Sequence, residues 1–278
     1  MKNYDNFLLE NNNYVKAIEL SEVVKLFKLT PMFETMMKGI NLDFDNLIYR
    51  NVHPNFHDGY KDYNIIDPSK ITRKSAWSLN NIYNLFFSNS ENWNEYPKRD
   101  NSLICADYDG ISERYRHNMY IVVPFERDIA VSPRRDIWIS FYKNIVDDLG
   151  HFFKKFGNTV ENVTILDDND WEKFKIQLER YDEKRSNNYY NNDFFSENIK
   201  QFNDDNKDMV EKWKNNNITT LELLDFIFDP KRNEFKLLDY DGSTKLPNLS
   251  EIWLDSKSLL IKEHEFPKFI AECQKVYF

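Results

Sequence analysis

Glycine is scarce in this chain, with 6 in 278 residues. A G-x-G-x-x-G turn or a Walker loop needs several glycines within a few positions, because only an unsubstituted backbone lets its amides close on phosphate. Neither motif can be written from the sequence, and the nucleotide folds that depend on them are excluded. Cysteine is scarcer still. Cys105 and Cys273 stand far apart, which excludes a disulfide scaffold and a cysteine-rich zinc site, and points to the reduced interior of a cell. Positive charge is also in deficit, with 37 Lys and Arg against 46 Asp and Glu for a net charge of −9. General binding to nucleic acid or to an anionic membrane needs the opposite balance, since lysines and arginines must displace counterions. No apolar run approaches the roughly 18 residues of a membrane span. The opening MKNYDNFLLENNN has no long apolar core with a small-residue cleavage site, so it does not read as a secretory signal.

What is present is enough to build a core. Hydrophobic residues make up 41% of the chain and aromatics 16%, outside the range of disordered segments. Of the five histidines only His53 and His57 are close, in HPNFH with Asp58 beside them. A metal reading of that triplet needs one more ligand in space; the plain reading is a loop containing a proline.

Periodicity places the elements. Val15, Ile18, Val23, Leu26 and Phe27 recur at helical spacing and predict a helix over 14–38, interrupted at Thr30-Pro31. NLIYRNV (46–52) reads as a short strand and HPNFHDGYKDYN (53–64) as loop. Residues 75–88 read as a helix, followed by an irregular link around Pro97. SLICA (102–106), MYIVV (119–123) and RDIAVS (127–132) read as strands, rich in β-branched residues. Asp136 is placed to cap a long helix whose apolar face is Ile137, Phe141, Ile145, Leu149 and Phe152.

The character changes over 160–217, which hold 14 acidic and 9 basic residues. Trp171, Phe174, Leu178 and Tyr181 keep helical spacing within it. A further helix is expected over 219–229. Strands follow at 235–240, 251–255 and 258–262, and then a closing helical turn. The pattern indicates an α+β protein. Short mixed or antiparallel strands form a split two-sheet core with helices, and an acidic helical insertion spans about 160–230. Residues 1–13 read as a leader or tail and 14–278 as one domain.

Three segments are suited to chemistry. Tyr49-Arg50 ends an apolar strand, where a rigidly placed guanidinium can grip a phosphate or carboxylate with its fork. Lys98-Arg99 leads into a strand that starts at Ser102, whose hydroxyl can orient an acid or bond a ribose. In a strand over 251–255, Glu251, Trp253 and Asp255 share one face, which sets a carboxylate beside an aromatic ring. Glu263-His264-Glu265 offers a competing pair of acids. Each segment has a plain alternative: a surface arginine, a loop-to-strand junction, a surface glutamate.

Taken in order, Arg50, Ser102 and Glu251 resemble the Arg–Ser–Glu signature of toxin-like mono-ADP-ribosyltransferases. The aromatic-Arg-Gly motif stands here as Tyr49-Arg50-Asn51, Ser-Thr-Ser is reduced to Ser102, and the acid two residues before the catalytic glutamate is replaced by Leu249. The run TRKSAWSLNNIYNLFF, WNEYPKRDNSLICA, MYIVVPFE and DIWISF is similar to ADP-ribosyltransferases of tailed, T-even-like phages. It adds Arg73 as a second candidate for anchoring NAD. MKNYDNFLLE is similar to the leaders that direct internal head proteins into the capsid and are cut after Leu-x-Glu, here Leu8-Leu9-Glu10.

The resemblance implies that NAD is consumed as a substrate. Arg50 or Arg73 would hold the pyrophosphate, Ser102 would orient Glu251, and Glu251 would stabilise the cation growing on the ribose. Tyr49 or Trp253 would stack on nicotinamide. The acceptor would be a host protein or nucleic-acid group, and the place of action the host cytoplasm after packaging in the phage head. The rival classes are a non-enzymatic virion or anti-defence protein that binds a host protein through its acidic surface, a degenerate transferase fold, and a metal-dependent hydrolase built on His53, His57 and Asp58.

Overall fold

The computed structural model describes residues 15–40, 42–52, 59–70, 85–109, 118–135, 137–141, 171–186 and 206–277. In chain order the elements are β1 (Val15–Ala17), α1 (Leu20–Phe27), α2 (Pro31–Met37), β2 (Ile48–Asn51), β3 (Tyr63–Ile66), β4 (Leu103–Ala106), β5 (Met119–Pro124) and β6 (Asp128–Val131). They continue with α3 (Ile137–Ser140), α4 (Trp171–Ser186), α5 (Lys207–Lys214), α6 (Thr220–Ile227), β7 (Lys236–Asp239), β8 (Glu251–Leu254), β9 (Ser258–Lys262) and α7 (Phe266–Tyr277). The leader, His53, His57, Asp58, Arg73, Asp136 and most of the acidic segment lie outside the described residues. No described helix is long and apolar enough to cross a membrane.

Two compact units emerge, both discontinuous in sequence. One carries the sheet and takes its described residues from 15–70, 96–135 and 235–277; the other is helical and takes its from 85–95, 137–141, 171–186 and 206–234.

In the sheet unit every pairing is antiparallel, and the strand order is β1-β3-β9-β5-β2-β4-β8-β6-β7. The class is therefore α+β, with β1 and β7 at opposite ends and the sheet not closed into a barrel. β5 lies near the middle and all six of its residues are buried, which its unbroken apolar spelling MYIVVP requires. In place of the expected two sheets there is one nine-stranded sheet, with a narrow junction inside it. β2 pairs with β5 over four residues and β4 with β8 over four, but β2 meets β4 only at Tyr49 and Ala106. A five-stranded part and a four-stranded part are joined at that single pair.

The predicted helix over 14–38 is three elements. Val15–Ala17 pairs with β3, Val15 opposite Ile66, and three residues are too few for periodicity to separate strand from helix. The break at Thr30-Pro31 starts a second helix: the Thr30 hydroxyl accepts from the Phe33 amide at 3.3 Å, and Pro31 fills the first helical position, where no amide is needed. β3 begins in the last two residues of the segment read as loop. Its turn-like Asn64 is buried, its side chain bonded to the amide and carbonyl of Lys61 at 2.9 and 2.7 Å, so one strand residue closes the turn before it.

The helical unit is held by rings. Phe87 stacks on Phe141 with centroids 5.4 Å apart, Phe228 meets Phe141 edge-on at 5.1 Å, and the Trp93 indole donates to the Phe228 carbonyl at 2.9 Å. Phe174, Leu178 and Tyr181 of α4 are buried, the face that their spacing implied. α6 begins with a capping box between Thr219 and Glu222. At the next residue, Asp182 of α4 accepts from the Thr220 amide and hydroxyl at 2.8 and 2.5 Å.

Candidate functional site

β8 starts at Glu251, and its neighbours fix where it starts. Asp107, just past β4, is buried, and its two carboxylate oxygens accept from the amides of Leu249 and Ser250 at 2.9 and 3.0 Å. Ser132, just past β6, accepts from the Glu251 amide at 2.9 Å, while its hydroxyl donates to the Arg134 carbonyl. Between these anchors Leu249 is held in the left-handed region at φ 56°. A residue with a Cβ pays about 1–2 kcal/mol for that conformation, and it persists only where its surroundings impose it.

The Glu251 side chain is 12% exposed and faces a guanidinium. Arg99 approaches Oε1 with Nε at 3.1 Å and Nη2 at 3.0 Å. No described residue donates to Oε2. The carboxylate therefore has one oxygen fixed by charge-assisted hydrogen bonds and a second available to a ligand hydroxyl.

Arg99 sits in a short 3-10 turn, Arg99–Asn101, that leads into β4. Ser102 closes that turn: it is fully buried and its hydroxyl donates to the Lys98 carbonyl at 2.7 Å. Trp253 ties the adjoining residue, its indole donating to the Pro97 carbonyl at 2.9 Å. Burial lowers the pKa of the Lys98 ammonium, with Asp100 opposing.

Arg50 is on β2, 6% exposed, and its Nη1 donates to the Ile104 carbonyl on β4 at 2.8 Å. Register sets Tyr49, Ala106 and Glu251 in one row across β2, β4 and β8. Arg50 is one step along β2, in the row of Tyr120 on β5, so a regular pleat sends its side chain from the other face to Glu251. The β2–β4 ladder has already ended at that step, and the guanidinium lies at the edge of β4.

The sequence-derived residues thus come together in part. Arg50, Ser102 and Glu251 fall on or beside three successive strands of one sheet. The bond to Glu251 comes from Arg99, whereas the Ser102 hydroxyl donates to the Lys98 carbonyl. The stacking role expected of Tyr49 and Trp253 has no ring surface to use, as the two are 0% and 1% exposed. Tyr49 donates through its hydroxyl to the Phe44 carbonyl at 3.0 Å, and burial, then the charge of Glu263, raise its pKa. Glu265 belongs elsewhere. It follows β9, accepts from the Tyr63 hydroxyl at 2.7 Å and Lys268 at 2.9 Å, and the Tyr63 bond leads in lowering its pKa.

Asp107, Ser132 and the partnership of Arg99 were not visible in the sequence. Arg99 reads there as half of a basic turn, and its partner is 152 residues away. Comparison of the chain with family models, curated proteins and solved structures returns no match.

Proposed function

We propose that this chain transfers ADP-ribose from NAD to a host macromolecule, as the resemblance to phage mono-ADP-ribosyltransferases implies. The observation that carries the reading is the Glu251 carboxylate: largely buried, gripped through Oε1, with Oε2 open to a ligand hydroxyl, on the strand next to the one that Ser102 introduces. In the reaction the bond between nicotinamide nitrogen and ribose C1′ breaks, and nicotinamide leaves with the electron pair. An acceptor nucleophile bonds to C1′ and releases its proton. Positive charge grows on the ribose in between, and a fixed carboxylate bonded to a ribose hydroxyl stabilises it without reorganising. In this reading the pyrophosphate is held by Arg50, whose guanidinium reaches the edge of β4 from the opposite face of the sheet to Glu251, or by Arg73. Acceptors with basic surroundings are favoured by the chain's net charge of −9. Entry into the host with the phage genome belongs to the same proposal.

The test is incubation with NAD labelled on its adenylate half and a bacterial lysate. Label on a macromolecule, with free nicotinamide in step, is expected. Glu251→Gln should lower nicotinamide release by about 100-fold or more while NAD affinity changes little. Neither label nor nicotinamide from the wild-type chain overturns the reading and leaves the non-enzymatic host-binding role.

A further inference from the structure

We infer that Arg99 is the residue that positions the Glu251 carboxylate, and that Ser102 and Trp253 act by holding the turn that carries Arg99. This rests on the transferase reading and names how that site is set. Arg99 brings two donors, Nε and Nη2, to the single oxygen Oε1, at 3.1 and 3.0 Å. Two donors from one planar group converge on Oε1 and fix the position of that oxygen more firmly than a single rotating hydroxyl can, while Oε2 stays outside the grip. Both side chains are nearly dry, 13% and 12% exposed, so the pair is little screened and holds one geometry.

The turn beneath Arg99 is itself tied twice. Ser102, three residues past Arg99, donates back to the Lys98 carbonyl just before it, and Trp253 donates to the adjoining Pro97 carbonyl. Trp253 is two residues from Glu251 on β8, opposite Ile104 of β4, so the strand that presents the carboxylate also anchors the turn that grips it. The loop closes on itself: Glu251 to Arg99, Arg99 through its turn to Pro97, Pro97 to Trp253, and Trp253 along β8 to Glu251. Ser102 keeps its importance for the reaction and loses direct contact with the acid. Its hydroxyl sets the height of Arg99 above the sheet.

Steady-state nicotinamide release from the full chain, with kcat and KM for NAD measured separately, tests this. Arg99→Ala should lower kcat about 100-fold, the scale of losing one preorganised charged contact at a reacting centre, with KM within about threefold. Arg99→Lys keeps charge without the fork and should recover part of the loss. Methylguanidine added to Arg99→Ala should restore turnover, and added to Glu251→Gln should not. Ser102→Ala should show a weaker kcat loss in the same direction.

An active wild type whose Arg99→Ala variant keeps its kcat overturns the inference and leaves the transferase reading intact. So does a loss in Arg99→Ala that neither lysine nor methylguanidine recovers while urea unfolding shows a folded chain. A wild type that releases no nicotinamide overturns the reading and this inference together. If Arg99→Ala does not fold, Arg99→Lys decides: an unchanged kcat overturns the inference, and a lowered kcat at unchanged KM supports it.

Discussion

Tyr49 on β2 faces Ala106 on β4, and among the described residues this one pair is the whole register between the two strands. On either side of it the ladders are four pairs long, from β2 to β5 and from β4 to β8. Where a ladder stops, backbone groups lose their partners and something else must satisfy them. At this seam the substitute is Arg50, whose guanidinium donates to the Ile104 carbonyl at 2.8 Å. The residue expected to anchor a phosphate also bridges the two parts of the sheet.

Arg50 should therefore show two separable effects. Arg50→Ala removes a charge-assisted bond to a buried carbonyl, and the unfolding free energy from urea titration should fall by about 2 kcal/mol. Arg50→Lys can still reach a carbonyl with one donor and should cost less than half as much. It cannot present a fork to a phosphate, so its KM for NAD should rise about tenfold, close to the loss from alanine. If the lysine and alanine variants differ in stability and in KM by the same proportion, Arg50 is structural alone.

The strands were legible where composition and period agree. MYIVVP, LICA, EIWL and SLLIK are apolar and β-branched, and each is a strand within a residue or two of its expected bounds. Tyr63–Ile66 was hidden because aspartate, glycine and asparagine around it spell a turn; the turn is real and the strand begins inside it. Val15–Ala17 became a strand because β3 offers an edge, a fact that no local window contains. The site was legible in the same way. Glu251 and Arg50 stand out as polar side chains on apolar strands. Arg99 meets Glu251, and Asp107 meets Leu249, only after the chain has folded across more than a hundred residues.

The turn before Glu251 carries strain that can be removed. Leu249 adopts φ 56° and is 48% exposed, so its side chain contributes little burial to offset the left-handed backbone. Leu249→Gly should stabilise the chain by about 0.5–1 kcal/mol, the relief at the left-handed position less the greater freedom of glycine when unfolded. Asp107→Asn should do the reverse by about 2 kcal/mol, because an amide has one acceptor oxygen for the two backbone donors that the carboxylate serves. Urea unfolding of the two variants and the double variant checks this. If the strain and the bracket are linked, the Asn variant costs less in the Leu249→Gly background than in the wild type.

Acid should loosen the same segment at its far end. Asp241, two residues past β7, is partly buried, which opposes ionisation. The bonds from the Ser243 hydroxyl and amide, Thr35 and Thr244 outweigh that and bring its pKa from the ordinary aspartate value down to about 2. The Ser243 amide and hydroxyl lie at 2.9 and 2.8 Å. A carboxylate with a depressed folded-state pKa binds its proton more readily when unfolded, so stability rises with pH through this window. Its contribution is complete above about pH 4 and is lost as pH falls towards 2. The side chain is only part-buried, so screening reduces the contribution to about 1 kcal/mol. Asp67 and Glu265, also lowered, lose stability over the same range, and the half-buried Asp225, raised, acts in the opposite direction. The measurement is therefore a difference: urea unfolding of wild type and Asp241→Asn at intervals from pH 6 to 2. The wild type should lose about 1 kcal/mol more than the variant, with the whole excess below pH 4. A parallel fall in the two proteins would mean that the Ser243 bonds do not distinguish the charged carboxylate from its neutral substitute.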